Sequence, residues 1–349
     1  MASETLREYY NTNYTRCQLR SSFLSSWEGL VYSSHCVQLL SFPVQVLTAY
    51  LILRKTPDSM KTMKTPLIVS HLCCSLLDIV ICSLVTPFLY LPSIAFSGCG
   101  VLSWFGVPQS VQLFLFLISL FTVYISLLFL FESRNRTIQD NPFKIRGLKA
   151  QTIYYSLNYA CCMLSMSGFI STPSNQEAAK LEILKTNPCP ALEFFSSPVF
   201  VWMSDENWID LTFFVIAPIQ LANCMGNVLF QTGCSIYYLY ISKTAVISVY
   251  TRQMQQRFFV GSVVQAAVPT TLIAIPYCLV TVASATGEIT QGMTNLLFIL
   301  LGFHGFIESI TIIVAHKCYR ESICKIWNPA KASSFVAAID VSVLDRSAL

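Results

Sequence analysis

Charge is scarce in this chain. Of 349 residues, 22 are Lys or Arg and 18 are Asp or Glu, 11% in all, where a soluble domain carries about 25%. Histidine is scarcer still, with four residues, and none stands in an HExxH or other zinc spacing. There is no Cys-x-x-Cys pair, no glycine loop to cradle a phosphate and no Gly-x-Ser-x-Gly elbow. No enzyme, metal or cofactor is therefore expected. The net charge of +4 is spread by loop, which gives no footprint for nucleic acid. No internal repeat of the kind built into many transporters is visible. The N-terminal segment carries Glu4, Arg7, Glu8, Arg16 and Arg20 and lacks the apolar core of a signal peptide.

What is abundant is apolar surface, 54% of residues. It is gathered into seven runs, 33–53, 67–96, 107–131, 150–172, 211–242, 258–287 and 289–316. Each matches or exceeds the ~20 residues a helix needs to cross the hydrocarbon of a bilayer. Lipid offers no partner to backbone N–H and C=O groups, so such runs satisfy them internally as helices. The expected fold is an all-α, seven-helix integral membrane bundle. Its expected divisions are a tail at 1–32, the bundle at 33–316, an amphipathic juxtamembrane helix at 317–328 and a flexible tail at 329–349.

Loop charge sets the direction. Alternate loops and the C-terminal tail hold 17 of the cations, against Arg7, Arg16, Arg20, Lys180 and Lys185 on the other side. Cytoplasmic loops are the cationic ones, so the N-terminus is expected outside and the C-terminus in the cytosol. The glycosylation acceptor Asn13-Tyr14-Thr15 fits that placement. Asn135-Arg136-Thr137 has the same pattern on the cytosolic side and is expected to stay unmodified.

The runs carry few polar landmarks. Asp78 and Glu308 are the two acids inside them, each costing ~2.5–3.5 kcal/mol at membrane depth on insertion scales. Either they join an ion site or ligand cavity, or they are hydrogen-bonded structural groups. Pro43, Pro87, Pro218, Pro269 and Pro276 interrupt apolar runs. They adapt packing, or in the case of Pro269 and Pro276 hinge the sixth helix. Outside the bilayer Cys99 and Cys189 are the candidate disulfide, with Cys17 a third candidate. At the inner end of the third run Glu132 and Arg134 are two residues apart. Such a pair does not face itself on a helix, so each needs a partner elsewhere, which suits a switch. Cys318 and Cys324 on the juxtamembrane helix are candidates for acylation.

Several local patterns resemble the nematode serpentine receptor class H group. Phe131-Glu132-Ser133-Arg134 closes the third helix, and Gln256-Arg257-Phe258-Phe259 opens the sixth, which continues through Gln265, Pro269 and Pro276. The seventh carries Asn295 and His304-Gly305 and ends in His316-Lys317-Cys318-Tyr319-Arg320. Three positions depart from that group's pattern: Ser133 replaces an Asn, Cys318 a Pro, and Glu308 a small polar residue. The resemblance implies a G-protein-coupled chemoreceptor of the plasma membrane, on sensory cilia, that detects small odorants and activates a heterotrimeric G protein. Arg134 and Arg257 are then expected to contact or gate the G protein, with Glu132 as part of the switch and Tyr319 and Arg320 bracing the juxtamembrane helix. Phe88, Gln112, Trp208 and Tyr277 are the expected ligand cavity, under the loop 173–208. A small-solute transporter or channel is the competing class, which flux through purified protein without a G protein would mark.

Overall fold

The computed structural model describes residues 5–17, 22–138, 141–242 and 286–327, and between the last two stretches positions 252, 253, 255, 256, 259–265, 267, 271, 275, 278, 279, 282 and 283. Among the described residues, five helices are long and apolar enough to cross a membrane: Trp27–Lys55, Lys61–Leu84, Gln109–Thr137, Glu206–Ile241 and Gln291–Ala315. They correspond to the first, second, third, fifth and seventh runs. The fourth run forms a shorter helix, Leu148–Leu164, followed by the 3-10 turn Ser167–Ser171. In the sixth, Arg257, Pro269, Pro276 and Tyr277 lie outside the described residues, as does the tail from residue 328.

Local chemistry explains the helix ends. The Ser26 side chain accepts from Gly29 N and starts the first helix at Trp27, inside the segment expected to be tail. Arg54 and Lys55 close it, where cations complement the carbonyl end. Thr290 caps the seventh in the same way, accepting from Met293 N. Pro218 removes an N–H from the fifth helix, and the preceding turn Leu211–Ile216 adopts the wider π geometry.

The second run does not continue as helix to residue 96, and the fold is not purely α. Its helix ends in a π turn, Val80–Leu84, and Thr86 takes a positive φ of 45°. Beyond it β1 (Pro87–Leu89) pairs antiparallel with β2 (Ala95–Gly98), Phe88 opposite Ser97, and β2 pairs antiparallel with β3 (Phe200–Val201). Pro87 and Pro92 stop a helix here. An apolar run reports burial, and a strand sealed on both faces looks the same as a helix.

This small sheet is the centre of a cap over one end of the bundle. The N-terminal helix Leu6–Thr12 packs against the loop helix Gln176–Thr186. Tyr14 is buried, and its hydroxyl donates to Pro190 O at 2.9 Å; that of Tyr9 donates to Pro188 O at 3.1 Å. The disulfide is Cys17–Cys189, which corrects the expected Cys99–Cys189 pair. The turn after the N-terminal helix sets Cys17 beside residues 188–190. Cys99 instead follows β2, its N–H donating to Thr86 O, and packs into the core. Burial pushes its thiol up to about 12.

Within the bundle the second helix is central, packed against the first, third and seventh. One apolar cluster fills the cap end, and a second (Leu51, Ile52, Leu67, Ile312 and Tyr319) fills the opposite end.

Candidate functional site

The end of the third helix is folded inward. Glu132, Ser133, Arg134 and Asn135 are all buried, although hydropathy alone would leave them in water. Two residues along a helix turn by about 200°, so Glu132 and Arg134 diverge, as their spacing requires. Glu132 Oε2 accepts from the Tyr155 hydroxyl of the fourth helix at 2.9 Å. Arg134 Nε and Nη2 donate to Ser262 Oγ of the sixth at 3.1 and 2.9 Å. Asn135 Nδ2 donates to the backbone carbonyl and the side-chain oxygen of Gln231 on the fifth, and Ser235 Oγ donates to Asn135 Oδ1 at 2.6 Å. One short segment thus clasps three neighbouring helices. The space left among Arg134, Ser235, Leu239, Gln255 and Phe259 is about 10 Å³, at the lower limit for a single water. This end is shut.

The juxtamembrane helix Lys317–Trp327 is pinned beside it. Tyr319 is fully buried, with its hydroxyl 2.8 Å from Thr56 Oγ1. Thr56 already donates to Ile52 O, so Tyr319 is the donor to Thr56. Burial pushes this phenol up to about 12, which keeps the donated hydrogen in place. The ring meets that of His316 edge-on at 5.6 Å, and Arg320 Nη1 donates to Val314 O. Cys318 faces Met60 and packs against the second apolar cluster.

At mid-bundle Asp78 and Glu308 belong to one network. Gln45 Nε2 donates to Asp78 Oδ2 at 2.7 Å, and Gly305 N donates to Asp78 Oδ1 at 3.1 Å. His71 Nδ1 lies 2.8 Å from Glu308 Oε2, and its Nε2 lies 2.9 Å from Gln45 O. Gln265 Nε2 donates to Glu308 Oε1 at 3.3 Å. Residues of the first, second, sixth and seventh helices meet here, all buried. Gly305 permits the approach, since a Cβ there would stand 2.5 Å from Asp78 Oδ2. His71 and Gln45 escaped the sequence reading. The available signal was the interval of seven from His71 to Asp78, two turns on one helix face.

Of the four expected cavity residues Tyr277 lies outside the described residues, and the other three fall on separate elements. Phe88 is fully buried in β1, edge-on to Tyr90 with centroids 5.1 Å apart. Gln112 is fully buried too, its Nε2 donating to Val107 O at 2.8 Å and Ser103 Oγ at 3.1 Å. Trp208 is half-buried at the start of the fifth helix. Asn13 is exposed at the end of the N-terminal helix, whereas Asn135 is buried in the clasp. No cluster of His, Cys, Asp or Glu suited to a metal occurs among the described residues.

Long apolar helices joined through internal polar contacts define a multi-pass integral membrane protein of the helical-bundle class. Within that class, the family model described as "Serpentine type 7TM GPCR chemoreceptor Srh" matches residues 25–328, and the chain belongs to that family. It is 30% identical over 344 residues to serpentine receptor class H-72 of Caenorhabditis elegans, covering 98% of both chains. No solved structure matches it. The chain is thus a membrane chemosensory receptor by family.

Proposed function

We propose that this chain is a G-protein-coupled chemosensory receptor that binds a small external ligand and activates a heterotrimeric G protein. In this reading the capped end is extracellular and the clasped end cytoplasmic, in the plasma membrane of a sensory cilium. The single observation that carries it is the Arg134–Ser262 contact. It ties the third helix to the sixth at the end where a G protein would insert.

The described arrangement is then the resting state. Ligand binding favours a second state in which the sixth helix moves away, Arg134 leaves Ser262 and the inner end opens. A ligand biases that equilibrium only by its difference in affinity for the two states. Glu132 and Asn135 hold the third helix to the fourth and fifth meanwhile, and Tyr319 and Arg320 fix the juxtamembrane helix. Arg257 would face the same partner, and Pro269 and Pro276 would provide the bend.

The test is expression with a promiscuous G protein and a calcium readout, challenged with a chemical panel. Arg134→Ala is expected to abolish responses while surface delivery persists. Undiminished signalling from that variant would overturn the assignment.

A further inference from the structure

Four carboxamides run along one face of the fifth helix: Gln220, Asn223, Asn227 and Gln231. Steps of three and four residues keep them on a single stripe. The stripe meets Tyr124 of the third helix and Tyr154 and Asn158 of the fourth. Asn158 Oδ1 accepts from the Tyr124 hydroxyl at 2.9 Å, from Asn227 Nδ2 at 3.2 Å and from Asn223 Nδ2 at 3.3 Å. Asn227 Oδ1 is taken by the Tyr154 hydroxyl at 2.9 Å. Asn227 Nδ2 also reaches the backbone and side-chain oxygens of Asn223 at 2.8 and 3.0 Å.

Acceptors are unevenly shared in this seam. One carbonyl oxygen with two lone pairs serves three donors. The amino group of Asn223 is left with long contacts, 3.3 Å to Asn158 and 3.5 Å to the Tyr124 oxygen. Asn223 and Asn227 are only half-buried, while Ile219, Leu221, Met225 and Leu229 on the same helix are exposed and apolar. Polar groups at bilayer depth that are neither sealed nor well matched are costly, and as a rule they are functional. None of these groups or their partners carries a charge, so an acceptor that improved on these two long contacts would be a neutral one.

On the cap side the described residues are tied down. The β2 strand is buried along its whole length. Gln109 Oε1 accepts from Gly98 N at 2.6 Å, and Asn295 Nδ2 donates to Leu24 O at 2.9 Å. The seam itself keeps partial exposure at Asn223 and Asn227.

We propose that a small, uncharged, lipid-soluble molecule bearing an acceptor oxygen (a ketone, ester or alcohol) enters from the bilayer and binds between the third, fourth and fifth helices, its oxygen accepting from Asn223. This rests on the receptor reading above and names its ligand class and path. Toward the cap, Gln220 Nε2 sits 3.0 Å from Cys162 Sγ and 3.4 Å from Cys224 Sγ, a polarizable wall suited to an alkyl chain.

The test is photolabelling of purified receptor in phosphatidylcholine vesicles with three eight-carbon diazirine probes, a ketone, an ester and an alcohol. Expected are adducts within 154–158 or 220–227 for at least one probe. Excess 2-octanone should suppress them and octane, which has no oxygen, should not. Asn223→Leu should reduce them more than tenfold. If that variant fails to elute as a single species, Asn223→Ala replaces it, and the adduct map of the unaltered receptor decides alone. No suppressible adduct in the seam with any probe, adducts confined to 88–112, or equal suppression by octane would overturn the proposal. No G protein is present, so a failure of coupling leaves this result standing. Ligand-driven signalling without seam labelling would remove the path and keep the receptor.

Discussion

His71 and Glu308 share one proton. His71 Nε2 faces the backbone carbonyl of Gln45 at 2.9 Å, and a carbonyl can only accept, so that nitrogen carries a hydrogen. Across the 2.8 Å contact to Glu308 Oε2 a single hydrogen then remains. The pair is either neutral imidazole with carboxylic acid or imidazolium with carboxylate, and in both forms it is internally neutral. The hydrogen between this helix-two side chain and this helix-seven side chain thus needs both of them in place.

Removing one partner therefore strands the other. Glu308→Ala or His71→Ala is expected to destabilise the solubilised receptor by ~3–5 kcal/mol, the range for breaking a buried pair. The double variant His71→Phe with Glu308→Leu should lose less than the sum of its singles. Thermal unfolding of the four proteins of the cycle measures this, and strict additivity would show that the two residues act independently.

Loosening the inner clasp should raise basal signalling. Ser262→Ala takes from Arg134 hydrogen bonds worth ~1.5–3 kcal/mol when a charged group is involved. Ligand-independent nucleotide exchange is then expected to rise about tenfold or more at equal surface density. A basal rate that stays flat, or falls, would mean that the Arg134–Ser262 contact does not hold the resting state.

The cap should come apart at Cys17. Cys17→Ser is expected to speed amide exchange in the N-terminal helix Leu6–Thr12 and in 176–190, whereas Cys99→Ser leaves both unchanged. Removing a native bridge typically costs about 2–5 kcal/mol, here confined to the cap. Non-reducing peptide maps give an independent check, since one fragment should contain both Cys17 and Cys189.

The two sequons should behave differently. Asn13 is exposed and is expected to carry glycan, so the receptor's mobility on glycosidase treatment should shift unless Asn13 is changed to Gln. Asn135 is bonded within the clasp, and Asn135→Gln should leave the shift intact. A glycan at Asn135 would reverse the proposed orientation.

Apolar length and acid content were the readable parts of this chain. Among the described residues five of the seven runs are long helices, because length in lipid admits few backbone solutions. Asp78 and Glu308 stood out because charge at that depth requires partners, and they do share a network. The partners themselves were not readable. Ser262 is a common small residue 128 positions from Arg134, and nothing local marks it. The hairpin 87–98 was hidden inside an apolar run, since hydropathy is blind to whether a buried segment is strand or helix. The bridge was ambiguous because cysteine spacing does not encode pairing. The carboxamide stripe was missed for another reason: attention to charge passes over neutral amides.

Asn295 ties the last helix to the first. Its amide grips the carbonyls of Leu24 and Ser26, 271 and 269 positions earlier, while Cys17 waits for Cys189. The capped surface is therefore unfinished until translation has delivered the final transmembrane segment. A ribosome-bound intermediate would hold its first residues without their seat, and maturation of that face is a post-insertion event, open to inspection by the quality control of the secretory pathway.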